Sequence, residues 1–486
     1  MKNLRKGAWL LALLLCVGLV FGASAALAAE KTASSDLTMK TGVYIGAVDV
    51  AGLTAEEATQ AVQSYIESLK EAQIQITFGE DDVETITFAD LQLTWNNPQV
   101  VEDALVYGNT GNVLQRYKAE RNLENESVIL ELEYSWKENL LRDFISQQAV
   151  ERHVDPVRAE LVRDNTAKTF VITDSVLGVD VEVAPTVAAV LDAIGTQWAG
   201  ENVVVDAVMK YTESEFTSEM AASVTDLLGE YETVYNAAEI DRSTNLAVAC
   251  SYINGMVLLP GESLSFFDYV YPVTVERGYR TATAYQGGRY IDSLGGGLCQ
   301  VSTTCYNAVL LAELEVLERT QHSMTVSYVK PGLDSGQAQS SNRNLNFANN
   351  TDYPVYVEAH LYTNRYGTSF VYIGLWGKET RPENRTVKYI SEYTEEWPYE
   401  GQPVIEYNTS MGYMEWHRTQ GQYPKVYAMA YKLVYIDGKL ESKTALYEKS
   451  DYYRATPEYW EVGTGGMSVE EFLESLDGAS LYPPTP

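Results

Sequence analysis

Three consecutive glycines, Gly295 to Gly297, run without a spacer into "LCQVSTTCYNAVLLAELEV", where Val301, Cys305, Ala308, Ala312 and Val316 recur at three- and four-residue steps. That spacing predicts a helix from about Gln300 to Val316 with one apolar stripe. Glycines tolerate positive φ and close backbone approach, so the triplet predicts a tight turn directly in front of it. Upstream, "STNLAVACSYINGMVLLPGESLSFF" reads as an amphipathic helix, a turn at Asn254-Gly255 and a strand entered through Pro260-Gly261. Downstream, "DYPVYVEAHLY" and "TSFVYIGLWG" read as strands. Helices and strands are interleaved here, which is the pattern of an α+β domain over residues 227–378.

The flanking regions differ in texture. Residues 41–212 begin with strand-like Val43, Ile45, Val48 and Val50, then a capping box, Thr54 with Glu57, opening an amphipathic helix. "LGVDVEVAPTVAAVLDAI" faintly echoes that unit, and "ETITFADLQLTW", "SVILELEYSW" and "NLLRDFISQQAVE" add strands and a helix, so this region also reads as α+β. From Arg385 onward Tyr and Val alternate and "IDGK" marks a hairpin turn at 436–439, predicting a separate small β module at 385–464; a tail with one short helix follows at 465–486.

At the N-terminus Lys2, Arg5 and Lys6 precede an apolar run from Ala8 to Phe21 and a small-x-small site at Ala26-Leu27-Ala28, the pattern of an export signal over residues 1–29. The uncharged stretch 7–29 also has the roughly 20 residues of a membrane anchor, and the sequence fits both. Cys16 lies inside the apolar run and reads as part of that segment. The net charge of −32 argues against nucleic acid or another polyanion as partner. Beyond the leader only Cys250, Cys299 and Cys305 remain, an odd number, so at least one thiol is expected to be free.

The two cysteines of the glycine-rich stretch are predicted to play different parts. Six residues apart, they are about 240° apart around a helix axis at 100° per residue, with Cys305 on the buried stripe. Cys299 falls at the helix N-terminus, where free N–H groups and the macrodipole favour a thiolate. The alternative for Cys299 is a buried cysteine after a Gly-rich turn. A nucleophilic cysteine needs a base, and the chain has His153, His322, His360 and His417. His322 lies on the return from the cysteine helix; the others sit in other strands or regions. Asp334 in "PGLDS" is placed either to orient the imidazole or simply to make a turn.

Taken together, "NLAVACSYINGMVLLPGESLSFFD", "GGGLCQVSTTCYNAVLLAELEVLERTQHSMTVSYVKPGLDS" and "NNTDYPVYVEA" resemble the VanW family. Residues 85–210 resemble the peptidoglycan-binding-like domain that often precedes it, and the stretch from "VYAMAYKLVYIDGK" resembles a G5 module. Ser335 stands where that family usually has alanine. The resemblance implies an exported, extracytoplasmic cell-wall enzyme, in the wall or on the outer face of the membrane. Its partners would be peptidoglycan stem peptides and glycan. Its reaction would be L,D-transpeptidation through a cysteine thioester, giving 3-to-3 cross-links. Cys299 would be the nucleophile, His322 the acid and base, and Asp334 the orienting group. Gly296, Gly297, Leu298, Gln300 and Ser302 would face substrate, with the amides of Leu298, Cys299 and Gln300 holding the oxyanion. This chemistry requires no metal or organic cofactor. A cysteine peptidase or amidase of wall peptides and a non-catalytic peptidoglycan-binding protein are the other readings.

Overall fold

The computed structural model describes residues 37–195, 198–337, 343–478 and 481–483. The leader, with Cys16 and the stretch 7–29, lies outside the described residues. Among the described residues no helix is long and apolar enough to cross a membrane. The chain forms two compact units, one running to Asp155 and adding Leu177–Thr212, the other made of Pro156–Val176 and the chain from Glu213 onward.

In the first unit the predicted capping box closes as expected: Thr54 and Glu57 cap helix Ala55–Lys70, whose Ala58, Val62, Ile66 and Leu69 are buried. Strand Gln73–Thr77 takes Val203–Asp206 in parallel on one side and Val83–Thr87 antiparallel on the other. Ile74, Ile76 and Phe88 anchor the core, Phe88 stacking on Trp198 with centroids 3.9 Å apart. Each such side chain contributes about 1.5–3 kcal/mol by leaving water. Two further predicted helices form at Glu138–Arg152 and Val183–Ile194.

The second unit is built on a four-stranded antiparallel sheet in the order Asp226–Tyr235, Ser369–Gly377, Val355–Thr363, Val257–Leu258. Helices Ile240–Ile253 and Leu298–Ala312 pack against it, burying Leu246, Ala249, Val301, Cys305 and Val309 against Val357, Val371 and Ile373. The cysteine helix is shorter than its periodicity predicts. It stops at Ala312 because Glu313 takes a left-handed conformation at φ 57°. The Glu313 carboxylate is held there by Arg385 Nη2 at 2.8 Å and Arg381 Nη1 at 3.2 Å. Val316 therefore belongs to the next strand, Glu315–Arg319, and continues the apolar stripe from across a turn.

One buried stripe also understates that helix, since Ser302, Thr303, Thr304 and Asn307 are buried as well. Each of these polar groups has a partner, as a buried one must. Thr304 meets Thr233 at 2.8 Å, and Asn307 donates to the Leu333 carbonyl at 2.7 Å. The regular elements of residues 385–463 are all strands. The longest pair, Arg385–Trp397 with Lys425–Ile436, continues through the predicted turn at Asp437-Gly438 into Lys439–Ala445. These strands share one compact unit with residues 213–378, and so does the hairpin Glu160–Thr173, which the sequence reading groups with the first region.

Candidate active site

The glycine turn is built by its neighbours. Hairpin Thr281–Gln286 with Arg289–Leu294 delivers the chain into Gly295. Gly295 and Gly297 take the positive φ that the sequence suggests for all three glycines, at 77° and 117°. Gly296 does not; it is glycine because a Cβ there would sit 2.3 Å from the Ala282 carbonyl oxygen. Asn245, fully buried, pins the turn by donating to the carbonyls of Gly296 and Arg280, each at 2.9 Å, and by accepting from Arg280 N–H at 2.7 Å. Gly296→Ala is therefore expected to destabilise the second unit by about 3 kcal/mol and to slow labelling of Cys299, because the hairpin must retreat from the turn. Urea unfolding and thiol titration check both effects.

Cys299 is the second residue of the helix that begins at Leu298, with Gly297 as N-cap. Its thiol is half-buried, whereas Cys250 and Cys305 are buried. Sγ accepts from Gln337 N–H at 3.2 Å. Strand Glu315–Arg319 then carries the chain back to His322. Nδ1 of His322 lies 2.6 Å from Asp334 Oδ2, and the same oxygen accepts from His322 N–H at 2.7 Å. The Asp334 side chain is fully buried, and its other oxygen accepts from Arg319 Nη2 at 3.0 Å and from the Tyr453 hydroxyl. The opposite ring nitrogen, Nε2, is buried without a hydrogen-bond partner among the described residues, and the thiol of Cys299 is in electrostatic contact with the ring.

These surroundings set the charges. Burial alone would raise the Cys299 thiol, but the His322 imidazole, the Gln337 amide and Arg242 together hold it below its ordinary value. Burial would lower His322, yet the Asp334 carboxylate and the Cys299 sulfur raise it to about 10. Asp334, against the effect of burial, is held down to about 2 by His322, Arg319 and Tyr453. The arrangement thus favours ionisation of the Cys299 thiol beside an imidazolium backed by a carboxylate. Cys305 shows the contrast, since burial pushes it up to about 12. The other histidines lie elsewhere: His153 pairs with Asp180 in the first unit, His360 stands beside Glu358 on a sheet strand, and His417 lies in strand Trp416–Gln420.

The residues expected to face substrate divide. The Leu298 and Gln300 amides bond to the carbonyls of Gly295 and Gly297 at 3.3 and 2.8 Å, so of the three amides expected around an oxyanion only that of Cys299 is not engaged within the turn. The Gln300 side chain turns inward, donating to the Val234 carbonyl at 2.8 Å and accepting from Arg242 Nη2 at 3.0 Å. Ser302 is fully buried, 3.0 Å from Ser335 Oγ and 2.8 Å from the Gln337 amide, and holds the Asp334 segment rather than a ligand. Ser335, the departure from the family pattern, gives Ser302 that buried partner.

Cys299 and His322 open on a cleft of about 1330 Å³. Arg242 and Tyr328 line it beside them, and strands of the C-terminal region supply Glu406 and Glu461 to its wall. Burial and the charges of Cys299 and Asp334 keep the Tyr328 phenol protonated well above its usual range. Arg242, Asn245, Arg319 and Tyr328 stand within or next to the motif stretches, where no local pattern marks them. Asp451 and Tyr453 lie within the G5-like stretch, far in sequence from the motif that bears His322 and Asp334.

Residues 241–371 match the family model described as "VanW like protein", and residues 84–201 match "Putative peptidoglycan binding domain". The chain carries a VanW-family domain together with a peptidoglycan-binding-like domain, the make-up of a cell-wall-related protein. It is 34% identical over 155 residues to "Uncharacterized protein YoaR" of Bacillus subtilis (strain 168), an overlap covering 32% of this chain and 50% of that one. It is 30% identical over 78 residues to "Vancomycin B-type resistance protein VanW" of Enterococcus faecalis, covering 16% of this chain and 28% of that protein. The chain thus spans half or less of the length of these relatives. Two solved G5 domains, from an IgA1 protease and HP0197, each cover 16% of this chain at 15% and 18% identity, with TM-scores of 0.11 and 0.09.

Proposed function

We propose that this protein is an extracytoplasmic cysteine L,D-transpeptidase that forms 3-to-3 peptidoglycan cross-links. In this reading residues 227–378 carry the chemistry, residues 41–212 bind peptidoglycan, and residues 385–464 are a G5-like module. The observation that carries it is the line Cys299, His322, Asp334, in which half-buried Cys299 and buried His322 line the cleft and fully buried Asp334 backs the imidazole.

The Cys299 thiolate attacks the carbonyl carbon that joins the third stem residue, a diamino acid, to D-Ala. The electrons of the carbonyl move to oxygen, where the Cys299 N–H at the helix N-terminus stabilises them; such a donor is worth about 3–4 kcal/mol. As the C–N bond breaks, His322 gives its Nε2 proton to the departing D-Ala amine, leaving a thioester. The side-chain amine of a second stem then attacks the thioester. Its proton passes to His322 Nε2, the C–S bond breaks, and thiolate and imidazolium are both restored. One amide is exchanged for another, so no external energy source is needed. Water in place of the amine gives a carboxypeptidase.

Incubating the purified protein with disaccharide-tetrapeptide separates the readings. The expected products are cross-linked dimer and free D-Ala. A stem cleaved elsewhere would point to a peptidase or amidase, and no reaction to a binding protein.

A further inference from the structure

We propose that the C-terminal strands are part of the reactive centre, and that Tyr453 and Asp451 are positioning residues that hold Asp334, and through it His322, for Cys299. Strand Asp451–Tyr453 pairs with Lys425–Ile436, so Tyr453 stands opposite Val426. From there its side chain is fully buried against the loop that bears Asp334. The Tyr453 hydroxyl accepts from Gly332 N–H at 2.6 Å and donates to Asp334 Oδ1. Asp451 takes Arg319 Nη1 at 2.6 Å, while Arg319 gives Nε to the Asp334 carbonyl at 2.6 Å and Nη2 to Asp334 Oδ1 at 3.0 Å. Arg454 N–H closes the contact on the Ser323 carbonyl at 2.8 Å, one residue beyond His322.

The geometry divides the work between the two carboxylate oxygens. Asp334 Oδ2 is reserved for His322, and Oδ1 is filled by Tyr453 and Arg319. Without the Tyr453 hydroxyl, Oδ1 keeps only Arg319 Nη2 as a side-chain donor, and the carboxylate is held less firmly toward Nδ1. Without the Asp451 charge, the Arg319 guanidinium has only Asp334 to pair with and draws its carboxylate off the imidazole. Tyr306 and Tyr447 face the same guanidinium, whose carbon lies 5.6 and 4.8 Å from their ring centroids, and neither carries charge. On the thiol side the charged neighbour is Arg242, with the Tyr328 phenol. A module that only raised local concentration at the wall would need none of these contacts.

Labelling of Cys299 by iodoacetamide across pH, with peptide mapping, tests this on the full chain. It reads the thiolate whatever the natural substrate, so failure of the transpeptidase reading leaves the test standing. Tyr453→Phe and Asp451→Asn are each expected to slow labelling at pH 7 about tenfold and to move the midpoint of the profile up toward an ordinary cysteine. Thermal unfolding of the same samples shows whether each variant is folded. Asp451→Asn, at a position 8% exposed, keeps the test open if loss of the buried Tyr453 hydroxyl prevents folding. Profiles of the folded variants that coincide with the unmodified protein would overturn the proposal.

Discussion

Cys299→Ala is expected to abolish cross-linking, a loss of order 10⁵–10⁶ in rate if its role matches that of nucleophiles in other triads. The fold should survive. The side chain is half-buried, and its hydrogen-bond partners are the backbone N–H and carbonyl of Gln337. The stability change should therefore stay within about 1 kcal/mol. Turnover of disaccharide-tetrapeptide and urea unfolding of the variant measure the two quantities separately. The same substitution at Cys305, which is fully buried against the sheet, should show the reverse pattern, with a clear loss of stability and retained chemistry.

Asp334→Asn should lower turnover by an order of 10³–10⁴ with little change in volume, because the amide no longer supplies the negative charge that His322 Nδ1 meets at 2.6 Å. The sign follows from the coupling. Asp334 favours the imidazolium, and the imidazolium favours the Cys299 thiolate. Removing the carboxylate lowers His322 and raises Cys299, so the pH window in which both are charged closes from both ends. In the unmodified protein that window opens as the Cys299 thiol ionises below its ordinary value and closes as His322 loses its proton near pH 10. A pH–rate profile should accordingly be broad and bell-shaped, and narrow or flat in Asp334→Asn. His322→Ala should slow alkylation of Cys299 for the same reason.

Local signals carried much of this fold. Thr54 and Glu57 announced their helix, Asp437-Gly438 its hairpin, and three glycines the turn into the cysteine helix, because each is a rule written within a few residues. Periodicity failed where tertiary contact overrode it. Val316 keeps the phase of the stripe, yet Glu313 has already turned the chain under the hold of Arg381 and Arg385 from the next region. Ser302, Thr303 and Gln300 look like the exposed side of an amphipathic helix, and they are buried because the Asp334 segment and strand Asp226–Tyr235 cover them. His322 and Asp334, 12 residues apart, lay within one readable motif. Asp451 and Tyr453 come from more than a hundred residues further on and meet Arg319 and Asp334 only in the folded unit, where no pattern in either segment points to the other.

The most direct test of the central claim is the mass of the protein itself during reaction. After brief incubation with disaccharide-tetrapeptide and acid quenching, peptide mapping is expected to find the donor stem, less its terminal D-Ala, as a thioester on Cys299. Added amine acceptor should discharge that adduct as dimer appears. An adduct on Cys250 or Cys305, or release of D-Ala by a Cys299→Ala protein that carries none, would contradict the account.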